Sequence, residues 1–444
     1  MKSNSVTPAR LAAFEILLRV EEGAYASILL ASREDELNDS DRALCHELVM
    51  GVLRRQLWLD RLIEYYADRK IAELDIAVRL ILRLGLYQLR FLSRVPASAA
   101  VNESVKLVHF ARLRSAAGLV NAVLRRATRE PTVDPATNIQ DAIERVAVAT
   151  SHPPWMIERW TRAFGNEKAE ALARANSEPA PVAFRVVNNR AREAEVVERL
   201  RSAGANVLPS KVAKGAWRVT GVGSLLLELA GQGEVYLQDE ASQLVAQALD
   251  PKPGHKILDL CAAPGSKTTQ IADITLDSAM IVASDLYEHR LRTVIQTASL
   301  HGLKSIHCVA LDGFQPLPLP ESSFERILVD APCSGTGTLR RNPEIRWRIT
   351  PSDIQELSER QRQLLCNASR AVRPGGRLLY STCSVEPDEN EEVALKFLEN
   401  NHRFRQVELS LNPVLMISPS AARTWPHRDG TDGFFICAFE RIAD

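Results

Sequence analysis

The stretch Ile257-Leu258-Asp259-Leu260-Cys261-Ala262-Ala263-Pro264-Gly265-Ser266-Lys267-Thr268 decides the fold of this 444-residue chain. A short apolar run gives way to small residues, then to Pro and Gly, then to a polar helical pattern. That is a strand entering a tight turn and a helix. The rhythm repeats downstream. Apolar runs at 280–283, 306–309, 327–329 and 377–380 are separated for the most part by helical stretches at 267–275, 287–302, 352–372 and 388–400. Such alternation predicts an α/β domain over residues 236–444, a doubly wound parallel sheet with helices on both faces. Ligands of such sheets bind beyond the carboxyl ends of the strands.

The turn itself is neither a P-loop, which needs adjacent Gly and Lys, nor a Gly-x-Gly-x-x-Gly motif. Its small residues, Cys261, Ala262, Ala263, Pro264, Gly265 and Ser266, let a ligand approach the backbone. The following helix start offers free N–H groups. Acids close the successive strands. Asp285 lies 26 positions after Asp259, and Asp312 and Asp330 follow. A carboxylate after the second strand is where such folds grip ribose hydroxyls, and Asp312 is placed to meet an adenine amino group. Each alone is better read as a cap or turn residue. Three in register point to a nucleoside-bearing cofactor. Two cysteines share this edge: Cys333 in Asp330-Ala331-Pro332-Cys333-Ser334-Gly335-Thr336-Gly337, and Cys383 in Tyr380-Ser381-Thr382-Cys383-Ser384. Cys45, Cys308, Cys366 and Cys437 fit the ordinary role of a small buried hydrophobe.

Working toward the amino end, Ala216–Val219 and 182–187 read as strands and 191–203 as a helix, a small α+β unit within residues 131–235 that follows linker helices. Residues 1–130 read as helix after helix, with Leu11, Phe14, Leu17 and Leu18, then Leu44, Leu48 and Val52, then Ile76, Leu80 and Leu84 at 3–4 spacing. The chain carries 55 basic and 55 acidic side chains, but residues 76–129 hold ten basic ones against Glu103 alone. That imbalance suits a polyanion, or else a solvated helix face. Arg340, Arg341, Arg346 and Arg348, interleaved with Trp347, suit phosphate contact and base stacking. The alternative is a surface loop with the indole tucked inward.

No apolar run reaches the ~18–20 residues of a membrane helix. Met1-Lys2-Ser3-Asn4-Ser5 shows no secretory signal. Seven cysteines at wide spacings without Cys-x-x-Cys argue against disulfides and against a metal site, and for the reducing cytoplasm.

On these motifs, residues 236–444 resemble the S-adenosylmethionine-dependent RNA cytosine-5 methyltransferases of the Nop2/Sun group. The Ala-Pro-Gly-x-Lys-Thr loop, Asp-Ala-Pro-Cys-Ser-Gly, Ser-Thr-Cys-Ser and the closing Asp429-Gly430-Thr431-Asp432-Gly433-Phe434-Phe435 stand in that group's order. Residues 6–130 resemble, more weakly, the NusB-type helical RNA-binding domain. The resemblance implies a Rossmann-like S-adenosylmethionine-dependent domain behind a NusB-like head. It implies a methyl transfer to carbon 5 of a specific cytosine in 16S ribosomal RNA through a covalent cysteine–C6 adduct. S-adenosyl-L-methionine would sit on residues 261–267 with Asp285, Asp312 and Asp330. Cys383 would be the nucleophile, and Cys333 would assist proton removal or RNA release. Asp330 would hydrogen-bond the cytosine ring, and Lys267 would orient Asp330 or the substrate. DNA cytosine methyltransferases use the Pro-Cys cysteine instead, which here would be Cys333. The partner expected is ribosomal RNA, naked or early in assembly, with no membrane and no metal, and the chain is expected to act as a monomer. Transfer RNA as substrate, or an inactive NusB-like scaffold, are the alternatives; the presence of both cysteines, Asp330 and Lys267 weighs against the scaffold.

Overall fold

The computed structural model describes residues 5–33 and 36–443. Met1–Asn4, part of the start read above for a leader, lie outside the described residues. The chain divides into two compact units. One comprises residues 1–179 with 339–348, the other 180–338 with 349–444.

The first unit is built of helices, as the 3–4 spacing requires. Its central helix, Ile76–Phe91, buries Val78, Leu80, Ile81, Leu84 and Leu86 and packs against Ala97–Phe110 and Ala117–Arg129. Each such burial contributes about 1.5–3 kcal/mol. Asp75 caps the start, accepting the Ala77 N–H at 2.8 Å. The basic stretch 76–129 proves mixed in role. Arg83 is buried and forks onto Asp60 at 2.7 and 2.9 Å. Arg90 donates to the Tyr66 hydroxyl and the Ala127 carbonyl. Arg126 pairs with Asp68 and Glu130. Arg94, Arg112, Arg114, Arg125 and Arg129 are exposed.

Arg340, Arg346 and Arg348 correct the expectation of phosphate contact after the Pro-Cys loop. Arg346 is fully buried. Its Nη1 donates to the carbonyls of Ser151 and Thr150 at 2.9 and 3.4 Å. Its Nη2 donates to those of Asn176 and Leu339 at 3.1 and 3.3 Å. Arg348 donates to the carbonyls of Val20, Gly23 and Ala24. Arg340 donates to that of Pro179. The reason is geometric: a guanidinium carries five donors in a rigid fork, so one side chain can satisfy several buried carbonyls. Trp347 is half-buried.

The second unit holds two sheets. β1 (Val182–Val186), β2 (Asn206–Pro209), β3 (Ala216–Thr220) and β4 (Val235–Leu237) form an antiparallel sheet in the order β2-β3-β1-β4. The larger sheet contains β5 (Lys256–Asp259), β6 (Met280–Asp285), β7 (Ile306–Ala310), β8 (Phe324–Asp330) and β9 (Val372–Thr382). It also takes in β10 (Phe404–Gln406), β11 (Met416–Ser418), β12 (Ala421–Arg423) and β13 (Phe435–Arg441). Its order is β11-β12-β13-β9-β8-β5-β6-β7, with β10 on β13. The strands β7 to β9 through β6, β5 and β8 are parallel, as expected, but β13 adds antiparallel to β9, which makes the sheet mixed. Strand order reverses between β5 and β8, so a crevice opens at their carboxyl ends. The small sheet braces the helix leaving β5, Ser266–Ile274. Arg185 of β1 donates to Thr269 Oγ1 at 3.0 Å, and Asn188 donates to Asp273 at 3.0 Å.

Replacing Arg346 by Ala strands its carbonyl acceptors without donors. We expect a loss of about 3 kcal/mol or more in chemical denaturation. Arg346→Lys should recover only part, because an ammonium cannot span the same fork. Unfolding midpoints of both variants equal to that of the unsubstituted protein would contradict this role.

Candidate active site

Asp259 ends β5 and is buried. Its Oδ2 accepts the Thr268 hydroxyl at 2.7 Å, pinning the helix start to the strand end. Burial pushes its carboxyl up to about 7, against that hydrogen bond. Between them, Gly265 adopts φ +105°, and a Cβ there would meet Val294 Cα at 3.1 Å. The glycine therefore serves the close approach of helix Glu288–Leu300.

Beyond this turn lies a cleft of about 400 Å³. Cys261, Ala263, Asp285, Asp312, Asp330, Cys333 and Cys383 line it, with Leu286, Tyr287 and Phe314 as apolar walls. Ala262, Pro264, Gly265, Ser266 and Lys267 do not. Ala262 turns inward, its N–H bonded to the Ser284 carbonyl at 2.7 Å. Asp285 is buried and pairs with Arg290 at 3.1 Å. Asp312 accepts the Phe314 N–H through Oδ1 at 2.9 Å. Burial, with Asp259, Asp330 and Asp285 around it, holds the Cys261 thiol well above its usual range, so it stays protonated.

At the other end of the cleft the two cysteines meet. Cys333 Sγ and Cys383 Sγ stand 3.3 Å apart. Register brings them together: β8 and β9 are parallel neighbours with Asp330 opposite Ser381, and each thiol follows by a few residues. Asp330 Oδ2 accepts the Lys267 ammonium at 2.6 Å, and its Oδ1 accepts the Ser381 hydroxyl at 2.7 Å. Burial opposes the Lys267 charge, but Asp330 outweighs it and the ammonium is held above its usual range. Lys267 also lies over the Phe434 ring at 5.3 Å. The hydrogen bond to Cys383 first, and burial second, push the Cys333 thiol well above its usual range. The charges around the pair differ. The Lys267 ammonium acts on Cys383, whereas the Glu389 carboxyl acts on Cys333.

Sequence reading missed several parts of this seam. Gly337 N–H donates to the Cys383 carbonyl at 2.9 Å, and Gly433 N–H to the Gly337 carbonyl at 2.8 Å. A Cβ on Gly337 would collide with Gly433 O. The glycines of the Pro-Cys loop and of the closing motif thus allow three segments to touch. Ser381 and Glu389 were also missed; the sequence places Glu389 in a helix from 388, yet the helix begins at Glu391. Among the described residues no cluster of three or more His, Cys, Asp or Glu could hold a metal ion, and no helix is long and apolar enough to cross a membrane.

Known proteins match this chain along nearly its whole length. The family described as 16S rRNA methyltransferase RsmB/F matches residues 246–440. The NusB family matches 7–129, and the ferredoxin-like domain of RsmF/B-like methyltransferases matches 152–224. The probable ribosomal RNA small subunit methyltransferase B of Bacillus subtilis is 35% identical over 99% of this chain and 100% of its own. The ribosomal RNA small subunit methyltransferase B of Pseudomonas putida is 34% identical over 98% of each. A solved crystal structure, of PH0851, superposes with TM-score 0.84 at 27% identity, covering 98% of this chain and 99% of that one.

The raised Asp259 carboxyl has a sign that stability measurements can read. Unfolded, an aspartate titrates near ~3.9, so between that value and about 7 the folded chain holds the extra proton. Stability should therefore fall as pH rises through this window, by at most about 1.4 kcal/mol per pH unit, and Asp259→Asn should remove that slope. Denaturant unfolding from pH 4 to 8 checks it; parallel pH profiles of the two proteins would refute it.

Proposed function

This chain belongs to the 16S rRNA methyltransferase RsmB/F family, and on that premise we propose that it methylates carbon 5 of a cytosine in 16S ribosomal RNA in the cytoplasm, with S-adenosylmethionine as donor and Cys383 as nucleophile. The observation that carries the reading is the pair of thiols 3.3 Å apart at the edge of a cleft whose other end presents two carboxylates. That cleft suits the donor: Asp285 and Asp312 can accept from ribose hydroxyls and an adenine amino group, and Leu286, Tyr287 and Phe314 can flank the base. S-adenosylmethionine, when bound, supplies an electrophilic methyl group on sulfonium.

The protein's residues must make carbon 5 nucleophilic. The target base leaves its stack to enter the cleft. The Cys383 thiolate adds to carbon 6, forming a C–S bond and placing electron density on carbon 5 and on the ring amide. Asp330, held by Lys267 and Ser381, accepts a hydrogen bond from the exocyclic amine of the ring, and the Lys267 ammonium beside it steadies the negative charge. Once carbon 5 carries the methyl group, Cys333 assists loss of the carbon 5 proton, and the C–S bond breaks to return Cys383. The Lys267 ammonium interacts electrostatically with Cys383. In this reading residues 1–130 and 131–235 bind and position RNA and residues 236–444 catalyse.

Cys383→Ala should bind the donor yet neither methylate nor crosslink. Cys333→Ala should attack the base and fail to release it, giving an RNA–protein band on a denaturing gel. A trapped band from Cys383→Ala and none from Cys333→Ala would transfer the nucleophile to Cys333. Binding of RNA phosphates is assigned to the exposed arginines of the helical unit. Arg125→Ala with Arg129→Ala should flatten the logarithmic salt dependence of RNA affinity by about 0.7–0.9 for each phosphate no longer neutralised. An unchanged slope would remove them from the interface.

A further inference from the structure

Behind the two thiols lies a buried carboxyl that the reaction above does not use. Glu389 is fully buried, just before helix Glu391–Asn400. Its Oε1 accepts the Ser334 N–H at 2.8 Å and the Gln361 side-chain amide at 3.0 Å. Its Oε2 accepts the hydroxyls of Ser334 and Ser384, both at 2.5 Å. Ser334 follows Cys333 and Ser384 follows Cys383 in the chain. The serine hydroxyls also lie 3.1 Å from each other. Gln361 is itself fixed, donating to the Pro332 carbonyl at 2.9 Å and accepting the Tyr380 hydroxyl at 3.0 Å. One carboxyl therefore grips the residue after each thiol, on loops 50 residues apart in sequence.

We infer that Glu389 is a positioning residue, the clamp that holds the Cys333 and Cys383 loops together so that attack and proton removal occur at one base. A carboxylate is suited to this because it accepts four hydrogen bonds in fixed directions while donating none. Gln keeps the shape but not the charge: its oxygen can accept from the Ser334 N–H and Gln361, but the Ser334 and Ser384 hydroxyls must turn to accept from its amide, and the charge-assisted bonds are lost. The clamp touches neither substrate nor donor, so its loss should spare their binding. The inference rests on the cysteine chemistry proposed above, but the thiol spacing can be tested without it.

Phenylarsine oxide bridges two neighbouring thiols, forming two As–S bonds as both sulfur protons leave with the oxygen as water. The unsubstituted protein should take up one equivalent at this pair, and Cys333→Ala should not. Glu389→Gln should bind it about tenfold or more weakly, as expected when a hydrogen bond to a charged group is removed. Its thermal midpoint and S-adenosylmethionine dissociation constant should stay close to those of the unsubstituted protein. In the Cys333→Ala background, Glu389→Gln should also slow RNA crosslinking about tenfold with the KM for RNA unchanged. Arsenical capture by Glu389→Gln as tight as by the unsubstituted protein overturns the inference. A Cys333→Ala protein that forms no crosslink at all would instead refute the cysteine reading, with the arsenical result still standing. Should Glu389→Gln fail to fold, Ser334→Ala and Ser384→Ala each remove one grip, and normal capture in both overturns the clamp equally.

Discussion

The 2.6 Å contact between Lys267 and Asp330 is the interaction on which the catalytic face depends. It joins the helix after β5 to the end of β8, across the point where strand order reverses. Through Ser381 it reaches the end of β9 as well. Burying either charge alone would cost several kcal/mol, so each residue obliges the other to be present and in place. A pair that is partly desolvated is weak ground for stability but strong ground for geometry. Its carboxylate has both oxygens engaged, one by an ammonium and one by a hydroxyl, so its plane is fixed relative to the cleft.

Around that pair, the closeness of three loops is secured by absence of side chains rather than by attraction. Gly337 and Gly433 permit main-chain contact where any Cβ would intrude. The loop after β5 is different: Gly265 admits a helix, and the cleft is lined instead by Cys261 and Ala263. A glycine in a motif thus has two meanings, approach of ligand and approach of backbone, and spacing alone does not separate them.

The same limit governs how far the sequence could be read. Short apolar runs and period-3.6 patterns located β5 to β9 and their helices, because burial on both faces leaves the strands continuously apolar. With the strands placed, Asp285, Asp312, Asp330, Cys333 and Cys383 necessarily fell on one edge. The strands β10 to β12 span three residues each, too short to carry a period, so the antiparallel part of the sheet was not legible. Arg346 was misread because charge predicts solvent, and only the folded chain shows that unpaired carbonyls demand a buried guanidinium. Glu389 sits among Asp388, Glu391 and Glu392, a run that reads as an acidic helix start. Nothing local distinguishes the one carboxyl that turns inward.

Two thiols at contact distance pose a problem that fold likeness cannot resolve, since a fold hosts different chemistries and either sulfur ends a strand on the ligand side. Charge resolves it. A thiolate is the nucleophile, and it is favoured by a cation and disfavoured by an anion nearby. Lys267, anchored by Asp330, interacts with Cys383, whereas Glu389 interacts with Cys333 while holding a serine beside each thiol, Ser334 and Ser384. The division of labour proposed for the cysteines is thus tied to the charged side chain with which each one interacts.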